Sequence, residues 1–515
     1  MISCIVIGAG PGGLVSTKEM IEAGFDDVLC LEQSHQIGGT FATGYDSLLL
    51  TSSAPFSMFS DFDIGATDVD HFWTKAEALD YWTRYADHFR VTPHIRLNAT
   101  VTKVRQDTTH GGWTVTLADG AQLQAARIIL ASGGSSIARY PEWASVLTKV
   151  TVQHGQQYKN AQPYRGKRVV VVGGGESGSD IALDIAKVAA QSWVSLREST
   201  GWVVPRKRGD GAADTATHRG VWGLPRSYGA VLTQQILNYE RSKPDSISQA
   251  IVWLNEKITT PNGIWGTYGT KSLGLPLAMT EHGCKVVAEI IEVLDGGHHL
   301  RTADGQDLVD VDAVVFCTGY RNCAPYMPEA LQLCLPRSLY KQVFHPDIGA
   351  SLAFVGLARP CFGSQFPIME MQARLCAQVF KGTLPLPDRA EMVRLAKVEG
   401  DAFMAQLGRS GRRILGLVDY HIYMDGLASL IGCLPPFCKL LLREPRLWMH
   451  LVYGPTQSSQ FRLTGPGAKP ELARAIMRRL PISKINHMVK AGLRGRMIYT
   501  MRALASGFSK PWRNL

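Results

Sequence analysis

Short runs of aliphatic and β-branched residues, each ending in small residues, are the main pattern along the chain. One run covers residues 3–7 and leads into "GAGPGG", and another covers 169–172 and leads into "GGGESG". Apolar residues then recur at helical spacing, to about Ala23 in the first case and through "SDIALDIAKVAA" in the second. A further apolar run follows each helix and ends at Glu32 or at Arg197. The pattern predicts two strand–helix–strand units.

Three more apolar runs end in small residues, at 127–134, 312–320 and 352–357. Such runs occur in any sheet core, but their spacing here is typical of the later strands of doubly wound sheets, whose carboxyl ends face a cofactor. The second unit lies between these runs in the sequence. We therefore predict an α/β fold in which one Rossmann-like dinucleotide-binding domain is inserted within another.

The first glycine turn has the residues that a dinucleotide cradle needs. Gly8 permits a tight turn, Gly10 lets the backbone approach a pyrophosphate, and Gly13 lets the helix pack on the strand. The phosphates then lie at the helix N-terminus, where unpaired N–H groups and the helix dipole favour anions. Glu32 follows Gly8 by 24 residues, where a carboxylate accepts hydrogen bonds from an adenosine ribose. We predict FAD at this cradle.

The second turn repeats the plan with Gly173, Gly175 and Gly178, but a base takes the place of the acid. Arg197 follows Gly173 by 24 residues, and a guanidinium at that point pairs well with a 2′-phosphate. This difference favours NADPH at the second cradle. The alternative is that Arg197 is an ordinary surface residue and that Glu198 binds the ribose of NADH.

Composition sets limits on the class of protein. The 515 residues are 45% hydrophobic and 19% charged, which suits a globular protein of two to four domains. The ten cysteines include no C-x-x-C pair and no Cys/His cluster at metal spacing. We therefore expect reduced thiols in an intracellular setting and no metal site. No apolar run reaches 18 residues, so a spanning helix is not expected.

The net charge of +10 is concentrated in the C-terminal tail. Residues 478–515 contain nine Lys or Arg and no acid, so the rest of the chain is nearly neutral and nucleic-acid binding is not expected. From Ile482 onward, apolar residues recur at helical spacing among the basic ones. This pattern is compatible with a helix that lies in a membrane interface and with a terminal helix docked on the protein body.

Several motifs together resemble the flavin-containing monooxygenases of the eukaryotic type, over nearly the whole chain. "GAGPGGL" with "LEQSHQIGGTF" resembles the family's FAD fingerprint, "GKRVVVVGGGESGSDIA" its NADPH fingerprint and "FCTGY" its ATGY box. "LAFVGLARPCFGSQFPIMEMQARLCAQVFKG", "VDYHIYMDGLASLIG" and "SSQFRLTGPGAKPELARAI" resemble later regions of the animal-type, dimethylaniline monooxygenase-like members. The resemblance implies an FAD domain, an inserted NADPH domain and a mainly helical C-terminal region.

The resemblance also implies the residues of the site. Those expected to line FAD are Gly8, Ala9, Gly10, Pro11, Gly12, Gly13, Glu32, Gly39, Thr40 and Phe41. Those expected at NADPH are Gly173, Gly175, Ser177, Gly178, Ser179, Asp180 and Arg197. The ATGY-like box adds Thr318, Gly319 and Tyr320, of which Tyr320 is expected to help couple the two domains. Thr51, Ser52 and Ser53 are expected beside the reacting ring, with Ser52 and Ser53 as the catalytic candidates.

The sequence departs from the family's linker motif F-x-G-x-x-x-H-x-x-x-Y/F. His154 and Tyr158 are kept, but Thr148 and Val150 stand where Phe and Gly are expected. The W-P pair that follows this histidine in Baeyer–Villiger oxygenases is absent. The linker therefore favours heteroatom oxygenation, although His154 is equally compatible with a purely structural role.

A second departure lies beside the flavin. The family commonly has T-N before an F-S-D-F segment, and this chain reads "LLLTSSAPFSMFSDF". Ser52 most nearly replaces the Asn, and Ser53 is the alternative because the alignment is one residue short. A serine donates one hydrogen bond, whereas Asn supplies both a donor and an acceptor on a longer side chain.

The activity that the resemblance implies is NADPH- and O2-dependent monooxygenation. One oxygen atom would pass from a flavin C4a-hydroperoxide to an amine nitrogen or a sulfur of a small molecule. Baeyer–Villiger oxygenation of a ketone stays open as an alternative, and so does an uncoupled NADPH oxidase or non-oxygenating flavoprotein. A pyridine-nucleotide disulfide reductase is disfavoured, because no cysteine pair follows Glu32.

We predict four segments: a first FAD-binding segment over 1–155, an NADPH domain over 156–317, a second FAD-binding segment over 318–400, and a helical region with the basic tail over 401–515. An insertion at about 201–275, rich in Trp, Gly and Pro, is expected to be irregular and either to shape the substrate entrance or only to pack against its neighbours. The resemblance implies a cytoplasmic protein or one at the cytosolic face of the endoplasmic reticulum. A homo-oligomer is left open.

Overall fold

The computed structural model describes residues 1–482 except 66–68, 108–110, 136, 209–210, 224–227, 261 and 333–334. The predicted amphipathic tail beyond residue 482 lies outside the described residues. Within the described part, no helix is both long enough and apolar enough to cross a bilayer.

Two parallel sheets of five described strands each form the centre of the fold. The first has the spatial order Leu352–Phe354, Ile128–Leu130, Cys4–Ile7, Val28–Leu31 and Ile95–Arg96. The second has the order Lys285–Val287, Gln191–Ser195, Arg168–Val172, Ala313–Phe316 and Thr151–His154. All neighbouring strands in both sheets run parallel.

The order of these strands along the chain confirms the predicted fold class. Every strand of the second sheet falls between Ile128–Leu130 and Leu352–Phe354, two neighbours in the first sheet. One doubly wound domain is therefore inserted in the other. Each sheet also has the predicted helix after its first glycine turn, at Pro11–Glu22 and at Glu176–Ala186.

Smaller strands join the loops around the two sheets. Two antiparallel three-stranded sheets consist of Val101–Gln106, Trp113–Leu117 and Gln122–Ala125, and of Ile290–Leu294, His299–Thr302 and Asp307–Leu308. Strand pairs join Trp202–Val203 to Gly269–Thr270, Lys207–Arg208 to Gly211–Ala212, Ile137–Ala138 to Tyr320–Arg321, and Arg359–Pro360 to Leu417–Val418.

Most of the described chain after residue 364 is helical, which confirms the helical C-terminal region predicted from residue 401 and extends it to earlier residues. Its helices are Gln365–Phe380, Arg389–Arg413, Tyr420–Ile431, Phe437–Arg443, Pro445–Tyr453 and Pro470–Arg479. The remaining helices of the described residues are Thr40–Thr43, Ala54–Ser57, Lys75–His88, Arg219–Trp222, Tyr228–Arg241, Ser246–Glu256, Gly274–His282 and Glu329–Gln332. Gln365–Phe380 packs along Pro11–Glu22, so the C-terminal region rests directly on the first cradle.

The 201–275 segment differs from the expected irregular insertion. It contains two full helices, Tyr228–Arg241 and Ser246–Glu256. The second begins at Asp245, whose side chain accepts a hydrogen bond from the backbone N–H of Ser248 at 2.8 Å, a normal helix cap. Most of the described Gly and Pro residues lie outside these two helices, whereas Trp253 lies within the second.

A buried cluster of charged side chains joins distant parts of the chain. Arg462 lies 2.8 Å from a carboxylate oxygen of Glu19 and 2.9 Å from one of Glu370, and Lys18 pairs with Asp61. All five side chains are at least nine-tenths buried. Burial alone would raise the pKa of Asp61, but the charges of Lys18 and Arg462 hold it below its usual value. The cluster therefore stays ionised and internally paired.

We expect Arg462→Met to lower the free energy of unfolding by about 3–5 kcal/mol, because it leaves buried carboxylates without their partner. Urea denaturation of the FAD-loaded protein measures this change. The control is Arg394→Met, which removes an exposed arginine paired with Glu391 at 2.6 Å, and it should cost less than about 1 kcal/mol. Equal losses for the two variants would contradict a structural role for the cluster.

Candidate functional site

The first glycine turn is closed so tightly that side chains are excluded from it. A Cβ added at Gly8 would lie 2.8 Å from the carbonyl oxygen of Ala131, and Gly8 has a φ of +103°. A Cβ at Gly13 would lie 1.7 Å from the carbonyl oxygen of Gly8. The helix Pro11–Glu22 begins after Gly10, which has no side chain to cap it. The first N–H groups of the helix are therefore left for an anionic ligand.

Glu32 is held at the end of its strand by two backbone groups. Its carboxylate accepts hydrogen bonds from the N–H of Ala9 at 2.7 Å and from the N–H of Ser34 at 2.9 Å. It is buried, so its position relative to the glycine turn is fixed. This placement fits the ribose contact that the sequence predicts for the adenosine half of FAD.

The turn at Gly39 brings the predicted residues Thr40 and Phe41 to the same cradle. A Cβ at Gly39, where φ is +56°, would lie 3.2 Å from the Cα of Gly10, so the two turns touch. Thr40 starts a one-turn helix, Thr40–Thr43. The ring of Phe41 packs at 4.9 Å from the ring of Trp82.

The second turn repeats the close packing and leaves an opening. A Cβ at Gly178 would lie 2.1 Å from the carbonyl oxygen of Gly173, which has a φ of +110°. At Gly175, by contrast, a Cβ would meet no atom within 4 Å, so there is room for a phosphate beside the helix N-terminus. Glu176 in the first helical turn is paired with Arg359 at 2.8 Å, which offsets its repulsion of an anion.

Arg197 lies exposed beyond the end of its strand among other arginines. Burial lowers the pKa of Arg139, and the nearby charges of Arg197 and Arg413 lower it further. Glu198, the alternative ribose ligand for NADH, is instead paired with Arg409. A group of arginines that repel one another suits a phosphate, which would neutralise several of them at once.

The predicted NADPH residues at the second helix face different ways. Ser177 is exposed in the first turn. The hydroxyl of Ser179 accepts a hydrogen bond from the N–H of Leu275 at 2.7 Å, and Asp180 accepts one from the hydroxyl of Tyr45 at 2.9 Å. Ser179 and Asp180 therefore hold neighbouring segments against the helix, and Ser177 stays exposed to solvent.

The ATGY-like box crosses between the two sheets. The Thr318 hydroxyl donates to the Arg139 carbonyl, and the Arg139 N–H donates to the Gly319 carbonyl at 3.0 Å. The Tyr320 ring lies 5.3 Å from the buried ring of His154. Burial lowers the pKa of His154, so this linker histidine is neutral at pH 7 and packs as a core residue.

The candidate reactive turn is held by an acid from the 201–275 segment. Ser53 donates to Asp214 twice, from its backbone N–H at 2.7 Å and from its hydroxyl at 2.9 Å. Ser52 lies with its hydroxyl oxygen 3.2 Å from that of Ser364. Burial raises the pKa of Asp214, while the bonds from Ser53 favour its charged form.

A cavity adjoins this turn. Its lining residues are Thr51, Phe72, Val204, Pro205, Arg206, Ala213, Asp214, Thr217, Lys271, Phe362 and Gly363. Asp214, Lys271 and Arg206 are the charged residues of this lining, and the sequence did not predict them because none of them belongs to a recognisable motif. They come from the segment that the sequence left without a firm role.

The family model described as "Flavin-binding monooxygenase-like" matches residues 3–506 of this chain. A 4-hydroxybenzoate brominase (decarboxylating) of Marinomonas mediterranea is 31% identical over 493 residues, with 92% of each chain covered. Dimethylaniline monooxygenase [N-oxide-forming] 2 of Rattus norvegicus is 31% identical, with 90% of this chain and 88% of the relative covered.

Solved structures share the fold at lower identity. S-allyl-L-cysteine S-oxygenase from Allium sativum matches with a TM-score of 0.60 and 19% identity, over 97% of this chain and 98% of that one. The open form of cyclohexanone monooxygenase matches with a TM-score of 0.61 and 16% identity, over 84% and 98%. The paired cradles and these comparisons agree: the chain belongs to the flavin-binding monooxygenase-like family, with FAD and NADPH as its cofactors.

Proposed function

We propose that this monooxygenase transfers one oxygen atom of O2 to a nitrogen or sulfur atom of a small molecule. The observation that carries the proposal is the pairing of two differently charged cradles, ending in Glu32 and Arg197, with a serine turn fixed by Asp214. When bound and reduced by NADPH, FAD supplies the oxygen activation. The protein residues position the cofactors and shield the reacting atoms from water.

Each cradle has a separate role in this proposal. Glu32 holds the adenosine ribose of FAD at the first cradle, while Arg197 holds the 2′-phosphate of NADPH at the second. Ser52 and Ser53 lie beside the reacting ring, where Asp214 fixes the hydroxyl of Ser53 in one orientation. The missing W-P pair after His154 and the relatives named N-oxide-forming support a heteroatom acceptor over a ketone.

A second candidate is the oxidation of a halide for bromination of a phenolic acid. It is supported by two bacterial relatives, each 31% identical and each named 4-hydroxybenzoate brominase (decarboxylating). The acceptor of oxygen would then be bromide instead of an amine or a sulfide.

We also propose that the basic tail contacts a membrane peripherally and that the protein lies at the cytosolic face of the endoplasmic reticulum.

The acceptor class is tested by product analysis with purified, FAD-loaded protein. We expect tertiary amines or thioethers to yield N-oxides or sulfoxides in amounts that match the NADPH consumed. Bromide with 4-hydroxybenzoate is run in parallel. Brominated phenols without any N-oxide or sulfoxide would replace the first proposal with the second, and ester formation from cyclic ketones would refute both.

We expect Arg197→Ala to raise the KM for NADPH about 10–100-fold, because it removes a charge-assisted hydrogen bond to the 2′-phosphate worth roughly 1.5–3 kcal/mol. The KM for NADH should not change. Initial rates of NADPH and of NADH oxidation in air, over a range of nucleotide concentrations, measure both values. Arg165→Ala, an exposed arginine of the same domain, is the control. An unaltered preference for NADPH would refute the role of Arg197.

We expect Asp214→Asn to increase the H2O2 released per NADPH several-fold, because the neutral amide loses charge-assisted hydrogen bonds worth roughly 1.5–3 kcal/mol each. The bond from the Ser53 hydroxyl then no longer holds the turn. Parallel assays of NADPH, O2 and H2O2 measure the coupling. Ser53→Ala should have the same effect, and anaerobic flavin reduction should remain as fast as in the parent. Full coupling in both variants would exclude this role.

A further inference from the structure

The ammonium group of Lys271, which lines the cavity, has hydrogen-bond donors that are not used. It follows the short strand Gly269–Thr270 and is half-buried. Its ammonium donates to the carbonyl of Gly363, which occupies one of the three N–H groups that a lysine carries. Among the residues that the structure describes, Lys271 forms no ion pair. A partly buried ammonium with unused donors that lines a cavity is suited to an anionic guest.

The nearby carboxylates do not form an ion pair with Lys271 among the described residues. Asp214 is occupied by the two bonds from Ser53. Glu176, whose charge also acts on Lys271, is already paired with Arg359 at 2.8 Å. These acids raise the pKa of Lys271, but burial outweighs them and lowers it. An incoming anion would relieve the cost of burying this charge.

A second positive group lines the same cavity. Arg206 is held in place by the backbone carbonyls of Leu49 and Leu50, at 3.2 and 3.3 Å, and its guanidinium lies 3.6 Å from a carboxylate oxygen of Asp180. The lining therefore contains two bases and one acid.

The size and walls of the cavity limit the guest. Its volume is about 30 Å3, and one water needs roughly 10–15 Å3 of such space. It therefore accommodates about two waters, the space of a carboxylate head group or of one halide ion. Phe72 and Phe362 also line the cavity. A head group fills this space, so the rest of a larger guest would extend outside it.

We propose that Lys271 makes this cavity a binding site for a small anion: the carboxylate group of the substrate, or a halide ion. The proposal rests on the proposed function and narrows its substrate class. A nitrogen or sulfur compound that also carries a carboxylate is favoured over a cationic amine, and under the second candidate function the same ammonium holds bromide. In both cases the bound group is an anion that accepts hydrogen bonds from the ammonium of Lys271.

Calorimetric titration of the FAD-loaded protein with three probes of one shape tests the site. Benzoate, benzamide and benzamidine have the same ring and a planar head group, but carry charges of −1, 0 and +1 at neutral pH. We expect benzoate to bind tightest and benzamidine weakest. Lys271→Met should weaken benzoate binding about 10–100-fold and leave benzamide binding unchanged. Lys271→Arg should retain the preference for benzoate.

Sodium bromide distinguishes the two sources of the anion. Bromide that competes with benzoate at millimolar concentration, while chloride and fluoride do not, identifies a halide site. Benzoate binding that bromide does not affect identifies a carboxylate site. Lys257→Met, which removes an exposed lysine from the same segment, should leave both affinities as they are.

Equal affinity for benzoate and benzamide, or an unaltered benzoate affinity in Lys271→Met, overturns the proposal. So does a preference for benzamidine. The FAD content and the midpoint of urea unfolding are measured first for each variant, so that a misfolded variant is left out of the comparison. The titrations need no turnover. They can therefore fail while NADPH still reduces the flavin and oxygenated products still form, which separates this proposal from the proposed function.

Discussion

The buried ion pairs of Arg462 are the constraint on which the FAD cradle depends. Through Glu19 they fix the helix that starts at the first glycine turn, and through Glu370 they fix the helix packed along it. Asp61, a few residues after the serine turn, enters the same cluster. Buried ion pairs tolerate little displacement, since separating the two groups leaves each charge buried with neither a partner nor water. A residue near the C-terminus therefore sets the geometry of a site built mostly from the N-terminus.

The cavity beside the serine turn is formed where other parts of the chain meet. Thr51 and Phe72 come from the N-terminal segment of the FAD domain, Phe362 from its later segment, and Asp214 and Lys271 from the 201–275 segment. No single domain could form this cavity alone. The 201–275 segment contributes the charged groups, and the N-terminal segment contributes the turn that includes Thr51. Changes in the 201–275 segment can thus alter which molecules bind while both cradles stay intact.

The two cradles could be predicted from sequence because the requirements are local. Gly8 and Gly173 need a positive φ, and each lies within a few residues of the strand and helix that it joins. Arg462 and Asp214 could not be predicted in this way. The partners of Arg462 lie some 90 to 440 residues away in the chain, and the partner of Asp214 lies 161 residues away. In a sequence, a charged residue far from its partner cannot be told from one that is exposed to solvent. The two helices between residues 228 and 256 were missed because the Trp, Gly and Pro content of the whole 201–275 segment suggested irregular structure.

The bond to Asp214 gives a definite polarity to the hydroxyl of Ser53, the alternative counterpart of the family's asparagine. An Asn side chain offers both a donor and an acceptor. The hydroxyl proton of Ser53 is directed to the carboxylate of Asp214, so only its oxygen lone pairs are left for a third group. An acceptor at this point stabilises a protonated oxygen group and disfavours an anionic one. Baeyer–Villiger oxygenation would need the oxygen-donating group as an anion, whereas transfer to nitrogen or sulfur would need that group protonated. The polarity of the Ser–Asp pair is therefore an electrostatic argument for the proposed heteroatom acceptor, and it does not depend on the linker motif.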